Sequence, residues 1–319
     1  MMKILITGSL GQLGTELALA LAEIYGVNNV VVTDIRDIKD MDFDYDGPFY
    51  KLDARNAKRL AEIVKKERVQ RIYHLAALLS AVGESRPQEA WSVNINGLLS
   101  VLEVAREYNC SVFTPSSIAV FGPNAPRDYT PQDTIQQPTS IYGITKVTGE
   151  LLCNYYYRKY GVDTRGVRYP GIISYGTPPG GGTTDYAVEI FYEAIRKKRY
   201  TCYLKGDTYL DMVYMPDAIK AAIDIMEADP AKLRHRNAFN ITAMSFSPEE
   251  LAGYIRKYIP EFEIYYDIDP VRQAIANSWP NVLEDYAARV EWGWNPQYDI
   301  DSMTRDMLDK LRKKLGGKD

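Results

Sequence analysis

Apolar positions along the chain recur in two patterns. Short runs rich in valine, isoleucine and aromatic residues read as strands: "KILIT" (Lys3 to Thr7), "NVVVTD" (Asn29 to Asp34), "FYKLD" (Phe49 to Asp53), "RIYHLA" (Arg71 to Ala76) and "SVFTPS" (Ser111 to Ser116). Between several of them, apolar residues return every three or four positions, in "GQLGTELALALAEIYG", "NAKRLAEIVKKE" and the longer "ESRPQEAWSVNINGLLSVLEVAREYN", and these stretches read as helices. Short apolar strands separated by helices imply right-handed βαβ crossovers and a parallel sheet covered on both faces. The expected class is α/β, with a doubly wound parallel sheet.

Pro138, Thr139 and Ser140 form a helix start, and the helix after them is expected to run through Tyr142 to about Tyr160, with "DTRGVRY" after Gly161 as the next strand. Past Arg168 the pattern loosens. "YPGIISYGTPPGGGTTDYA" is dense in glycine and proline, with no clear helix until Tyr186, and a long irregular segment of this kind is usually a functional loop. Beyond it come a helix ending near Arg199, a strand from Asp211 to Met215, helices near Pro216 to Glu227 and Ser247 to Tyr258, and a charged C-terminal helix. The expected division is residues 1–170 as the first domain and 171–319 as a smaller α/β lobe intertwined with it.

Composition narrows the function classes. The 319 residues are ample for a core, and 38 basic against 42 acidic residues leave a formal charge of −4, without the field that holds nucleic acid or an anionic membrane. "MMKILITG" turns into a glycine loop instead of a leader, and no apolar run is long enough to span a bilayer, so a soluble, cytoplasmic protein is expected. Cys110, Cys153 and Cys202 are widely spaced, with only His74 and His235 to join them; free thiols and no metal are expected.

The first candidate chemistry lies in "ITGSLGQLG". Gly8, Gly11 and Gly14 follow the first strand and a helix opens around Gln12 and Leu13, an arrangement that permits a tight turn, close backbone approach to a pyrophosphate and an anion at the helix N-terminus. Asp34 ends the next strand, where a carboxylate accepts both hydroxyls of an adenosine ribose and repels a 2′-phosphate, so NAD is favoured over NADP; Arg36, two residues on, pulls the other way. Asp53 at the end of the third strand is a candidate for the adenine amino group. The second is "SIYGITK". Tyr142 and Lys146 lie four apart and share a helical face, where an ammonium beside a phenol favours the phenolate and makes the tyrosine a proton acceptor.

Gly8-x-x-Gly11-x-x-Gly14, "HLAA" at 74–77, "SSIAVFG" at 116–122 and Tyr142-x-x-x-Lys146 together resemble the extended short-chain dehydrogenase/reductase family, and the likeness runs over nearly the whole chain. It implies a Rossmann domain with a smaller substrate-binding lobe, and a catalytic Ser117, Tyr142 and Lys146, with Ser116 the neighbouring alternative for the hydroxyl. Cofactor contacts carry over to Leu75, Ala76, Ala77, Asn94, Tyr169 and Pro170. In the chemistry so implied, Tyr142 takes a proton from a secondary alcohol as hydride leaves the same carbon, and Ser117 holds the oxygen. Family members pair through this helix and the long one before Asn109, so a homodimer is expected, with Tyr155, Tyr156, Tyr157 and Tyr160 as surplus aromatics.

Most extended members act on nucleotide sugars, and this chain departs from them. Ile118 and Ala119 stand where dehydratases have an Asp-Glu pair, Leu210 stands where an arginine grips a diphosphate, and "PPGGGTTDYA" offers backbone amides and two threonines. Residues 168–187, "SWPN" at 278–281 and "EWGWNP" at 291–296 resemble the short-chain-type L-threonine 3-dehydrogenases within that family. This implies L-threonine as substrate, with Ser80, Gly181, Thr183, Thr184 and Trp279 as candidates for holding it, and a Gly180–Gly182 hinge. A nucleotide-sugar epimerase that retains NAD, and an NAD(H)-sensing regulator without catalysis, are the competing expectations.

Overall fold

The computed structural model describes residues 2–176 and 182–316. The chain forms two compact units, and it passes between them repeatedly. The first unit comprises Met1–Val120, Pro138–Arg168 and Ile219–Phe239; the second comprises Phe121–Gln137, Tyr169–Ala218 and Asn240–Asp319. One crossing falls at 168/169, and 121–137 and 219–239 each belong to the unit opposite their sequence neighbours.

In the first unit the order is β1 (Ile4–Thr7), α1 (Gln12–Tyr25), β2 (Val30–Asp34), β3 (Phe49–Lys51), α2 (Ala57–Glu67), β4 (Arg71–His74), α3 (Ser80–Ser85), α4 (Pro87–Trp91), α5 (Gly97–Tyr108), β5 (Ser111–Phe113), β6 (Ser116–Ser117), α6 (Ile141–Tyr160) and β7 (Thr164–Arg165). Six strands form a parallel sheet in the order β3-β2-β1-β4-β5-β7, with Ile4 opposite Val30 on one side and Arg71 on the other. Every residue of β1 and β2 is buried, because helices cover both faces. On one face Leu5, Val31, Ile72 and Val112 pack with Leu60, Ile63 and Val64 of α2, Val101 and Leu102 of α5, and Cys153 and Tyr156 of α6. From β1 the chain first builds outward through β2 and β3, then returns to β4 and β5 on the other side. The carboxyl end of β1 is therefore the topological switch point, where this architecture leaves a crevice for a ligand.

Two expected elements are broken. "SVFTPS" divides into β5 and β6 around Pro115, which has no N–H to donate to a ladder. The long helical pattern before Asn109 stops at Ser85, because Pro87 pushes Arg86 out of the helical region; it restarts in α4 and runs through a wider π-helical turn, Ser92–Asn96, into α5.

The second unit, with the segments that lead into it, contributes β8 (Val167–Tyr169), β9 (Gly171–Ile173), α7 (Tyr186–Lys197), β10 (Arg199–Cys202), β11 (Leu210–Tyr214), α8 (Met215–Glu227), β12 (Phe239–Asn240), β13 (Met244–Phe246), α9 (Pro248–Arg256), β14 (Glu263–Tyr266), α10 (Pro270–Asn277), α11 (Tyr286–Trp292) and α12 (Ile300–Gly316). The sheets β13-β11-β9 and β10-β14 pack with α7, α9 and α12 around Phe191, Leu210, Tyr214, Phe246, Leu251 and Met307. Among the described residues no helix is long and apolar enough to cross a membrane, and no group of three or more His, Cys, Asp or Glu side chains could hold a metal ion. The three cysteines are buried free thiols.

Candidate active site

The glycine turn sits at the switch point. Gly8 has φ +70°, and a Cβ there would fall 2.6 Å from the Ala76 backbone nitrogen; a Cβ at Gly14 would fall 2.5 Å from the Gly8 carbonyl oxygen. Only glycine allows the turn and the close contact between α1 and the turn after β1. Gly11 has more room, its nearest neighbour lying 3.3 Å from such a Cβ. Gln12 and Leu13 open α1 half-buried, with no acidic residue in the first turn to compete for the helix N-terminus. The Ser9 hydroxyl is buried with no hydrogen-bond partner among the described residues.

Asp34 is buried at the end of β2. Its carboxylate accepts from the Leu10 N–H (3.0 Å), the Arg36 N–H (3.0 Å) and Arg36 Nε (3.1 Å), so the arginine is folded back onto the acid. Asp53 makes the same motif with Arg55, whose Nη2 lies 2.6 Å away, and those hydrogen bonds lower the Asp53 pKa. The residues present fit a dinucleotide: a glycine cradle with no room for side chains, an open helix N-terminus, an orphan hydroxyl and a carboxylate at the ribose end.

Past β4, Leu75 donates its N–H to the Thr7 carbonyl at 3.0 Å, and Ala76 and Ala77 follow half-buried. Asn94, on the π-helical turn, accepts from the Leu78 N–H (2.8 Å) and donates to the Leu78 carbonyl (3.1 Å) and to Thr145 Oγ1 (3.0 Å). It thereby ties the loop after β4 to the helix that carries Tyr142. His74 shares a 2.7 Å hydrogen bond with the Thr7 hydroxyl; burial, and then the Lys146 charge, push its pKa down to about 3, so the imidazole is neutral.

Helix α6 starts where the sequence places it. Ser140 caps it by accepting the Gly143 N–H at 3.0 Å, and Glu84 of α3 accepts the Ile141 N–H at 2.7 Å. Tyr142 is half-buried and faces the Ser117 side chain, whose interaction with the phenol opposes the effect of burial on its pKa. The neighbouring Ser116 hydroxyl is instead bound to the Glu150 carboxylate, so of the two serines it is Ser117 that faces the phenol. Lys146, one turn on, donates from Nζ to the Pro115 carbonyl at 2.7 Å, with that nitrogen 5.5 Å from the Tyr142 ring centroid.

The electrostatics differ from expectation. Burial raises the Tyr142 pKa to about 12, opposed by the Ser117 side chain, and lowers the Lys146 pKa to about 8, opposed by the Glu150 charge. The expected pull of the ammonium on the phenol is outweighed by desolvation, which acts on both groups.

The remaining candidates are divided between the two units of the chain. Ser80 opens α3, half-buried, in the first unit. In the second unit, the Tyr169 hydroxyl donates to the Ala218 carbonyl at 2.6 Å and Pro170 is buried. Thr183 and Thr184 form a 3₁₀ turn ahead of α7, stabilised by the Gly182 N–H donating to Asp185 at 2.7 Å. Trp279 packs, partly buried, on the apolar core of that unit. Gly181, and with Gly180 most of the proposed hinge, lie outside the described residues. Leu210 is buried in the same core. Sequence reasoning passed over Glu150 and Arg168, whose carboxylate and guanidinium pair at 2.9 Å while buried; the signal was present as a Tyr142-x-x-x-Lys146-x-x-x-Glu150 stripe on one helical face.

The model of the NAD dependent epimerase/dehydratase family matches residues 4–242. An uncharacterized epimerase/dehydratase of Staphylococcus haemolyticus is 53% identical over 314 residues, 98% of this chain and 99% of that protein. The X-ray structure of L-threonine dehydrogenase from Clostridium difficile superposes with a TM-score of 0.97 at 58% identity, covering 98% of each chain. The holo form of a GalE-like L-threonine dehydrogenase from Cupriavidus necator superposes at 0.94 with 50% identity, covering 97% of this chain and 99% of that one.

Proposed function

The chain belongs to the NAD dependent epimerase/dehydratase family, and on that premise we propose that this NAD-dependent enzyme oxidises L-threonine at its β-carbon hydroxyl, giving 2-amino-3-oxobutyrate, NADH and a proton. The observation that carries the reading is Ser117 facing Tyr142 with Lys146 one turn away, in a chain whose likeness to L-threonine dehydrogenases extends over nearly its full length.

Tyr142 accepts the hydroxyl proton of threonine, and Ser117, which faces it, holds the substrate oxygen. Lys146 sets a positive charge beside the phenol, which favours the phenolate over the phenol as the proton moves. NAD, when bound, is the hydride acceptor. Gly8, Gly11, Gly14, Gln12 and Leu13 would hold its pyrophosphate, Asp34 its adenosine ribose and Asp53 its adenine, with Leu75, Ala76, Ala77, Asn94, Tyr169 and Pro170 along its length. For the amino acid's carboxylate and ammonium groups the proposed holders are Ser80, Gly181, Thr183 and Thr184, with Trp279 excluding water.

The apolar burial of Leu210 favours this reading over a nucleotide-sugar epimerase, which needs a cation for the diphosphate. We further assign a homodimer to α5 and α6, because Ile144, Leu151 and Tyr155 form an exposed apolar stripe along α6, with Tyr157 and Tyr160 as further exposed aromatics on its other sides.

The test is NADH absorbance from purified protein given NAD with L-threonine, D-threonine, L-allo-threonine, L-serine or a UDP-sugar. Signal with L-threonine alone is expected. No signal with any amino acid, together with NAD that survives gel filtration, would favour the epimerase.

A further inference from the structure

Lys146 is the group in the site with the most to lose from burial: an ammonium withdrawn from water keeps its proton only if something compensates. Its hydrogen bond to the Pro115 carbonyl supplies a dipole, not a charge. The negative charge in reach is Glu150, four residues on and therefore on the same face of α6. Both residues open onto one cavity of about 30 Å³, water-sized and not substrate-sized, whose other polar walls include His74, Asn94, Ser116 and Asn237.

Glu150 is itself buried and held from two sides. Arg168 donates to it from Nε at 3.0 Å and from Nη2 at 2.9 Å, and the Ser116 hydroxyl, next in sequence to Ser117, bonds to the same carboxylate. We propose that Glu150 is a positioning residue for Lys146: clamped by Arg168 and Ser116, it fixes the place and the charge of the ammonium beside Tyr142. The inference rests on the reading that Lys146 assists Tyr142.

The surroundings leave Glu150 as the compensating group. On α6 itself Lys146 faces Tyr142, Glu150 and Cys153; burial holds Cys153 as a thiol, its pKa raised to about 12. From β4 it faces His74, which is neutral. Arg168 is a second cation, reached through Glu150, and without the carboxylate between them it would repel Lys146. Asn94, Thr145, Ser116 and Asn237 carry no charge. In keeping with this, burial drives the Lys146 pKa down to about 8 and Glu150 is the largest influence holding it up.

A two-part experiment decides the matter. In cofactor-free protein labelled at lysine Cε with carbon-13, the Lys146 resonance, assigned by its loss in Lys146→Met, is titrated with pH in the unaltered protein and in Glu150→Gln. The glutamine keeps the shape and an acceptor for Ser116 and removes the charge, so the midpoint should fall by about one unit or more, a tenfold loss of proton affinity. The second part is the pH profile of kcat/KM for L-threonine. A Lys146 that loses its proton about one unit earlier halts the rise of activity with pH one unit earlier and lowers the alkaline plateau about tenfold, leaving the acid side unchanged. A purely structural role would depress both sides equally.

An unchanged Lys146 midpoint in folded Glu150→Gln overturns the proposal. Should that variant not fold, Glu150→Asp, which withdraws the carboxylate by one methylene, must lower the midpoint by a smaller measurable amount, and no change there overturns it equally. Failure of the unaltered protein to oxidise L-threonine would instead overturn the substrate reading. The lysine titration needs neither substrate nor cofactor and still decides the role of Glu150.

Discussion

A phenol whose pKa burial has raised to about 12 is a strong base once ionised and is seldom ionised, and that tension governs the behaviour expected of single residues. Below that value the phenolate fraction grows tenfold per pH unit, so activity is lost as pH falls. Lys146 works in the opposite sense: with its pKa lowered to about 8, it loses its charge above that point. The product of the two gives a log(kcat/KM) that rises with unit slope to about pH 8 and then levels, and initial rates across that range check it. Tyr142→Phe should lower kcat by about 10²–10⁴-fold while NAD affinity, followed by titration, stays unchanged. At the other end of the site, Asp34→Asn keeps an acceptor for the Leu10 N–H and releases Arg36 from its ion pair. The ratio of kcat/KM with NADP to that with NAD should rise by about tenfold or more. That Tyr142 and Lys146 lie one turn apart was legible in the sequence because it depends on spacing along one helix, and the place of Asp34 because it ends the strand that follows the glycine turn and its helix. The direction of the Tyr142 shift was not, since it depends on how much water the fold removes from both groups at once. The choice between Ser116 and Ser117 was also hidden: adjacent strand residues point opposite ways, and only the tertiary position of Glu150 shows which hydroxyl is already taken.

Among the elements, the turn from β1 into α1 carries the sharpest mechanical constraint. At Gly14 an alanine Cβ would meet backbone at 2.5 Å, whereas at Gly11 it would meet nothing nearer than 3.3 Å. Gly14→Ala should therefore cost about 1–3 kcal/mol of stability and weaken NAD binding, and Gly11→Ala should be the milder of the two in thermal melts. The sheet itself could be read from the chain, since buried parallel strands are nearly continuous apolar runs and β1 and β2 have that form. What failed was continuity. The long pattern before Asn109 keeps its apolar period across Pro87 and across the π-helical turn at 92–96, so periodicity alone joins what backbone geometry separates. The π-helical turn is also what carries Asn94, the link between the loop after β4 and Thr145 of α6.

For the whole molecule, the repeated passage of the chain between units was not visible as a boundary, because segments such as 121–137 and 219–239 carry no compositional mark of the unit they join. The exposed Leu151, Tyr155, Tyr157 and Tyr160 on α6 lead to an expectation for assembly: light scattering during size exclusion should give a mass near twice the 36.2 kDa of one chain, and Tyr155→Glu should move it toward the single-chain value. A single-chain mass for the unaltered protein would remove the dimer. The central claim is the oxidation of L-threonine at its β-carbon, and it is tested most directly with L-threonine carrying deuterium at that carbon alone. The account predicts NADH bearing one deuterium per turnover, measured by mass spectrometry, together with a slower rate if hydride transfer limits kcat. NADH formed without deuterium, or no NADH from L-threonine at all, would contradict it.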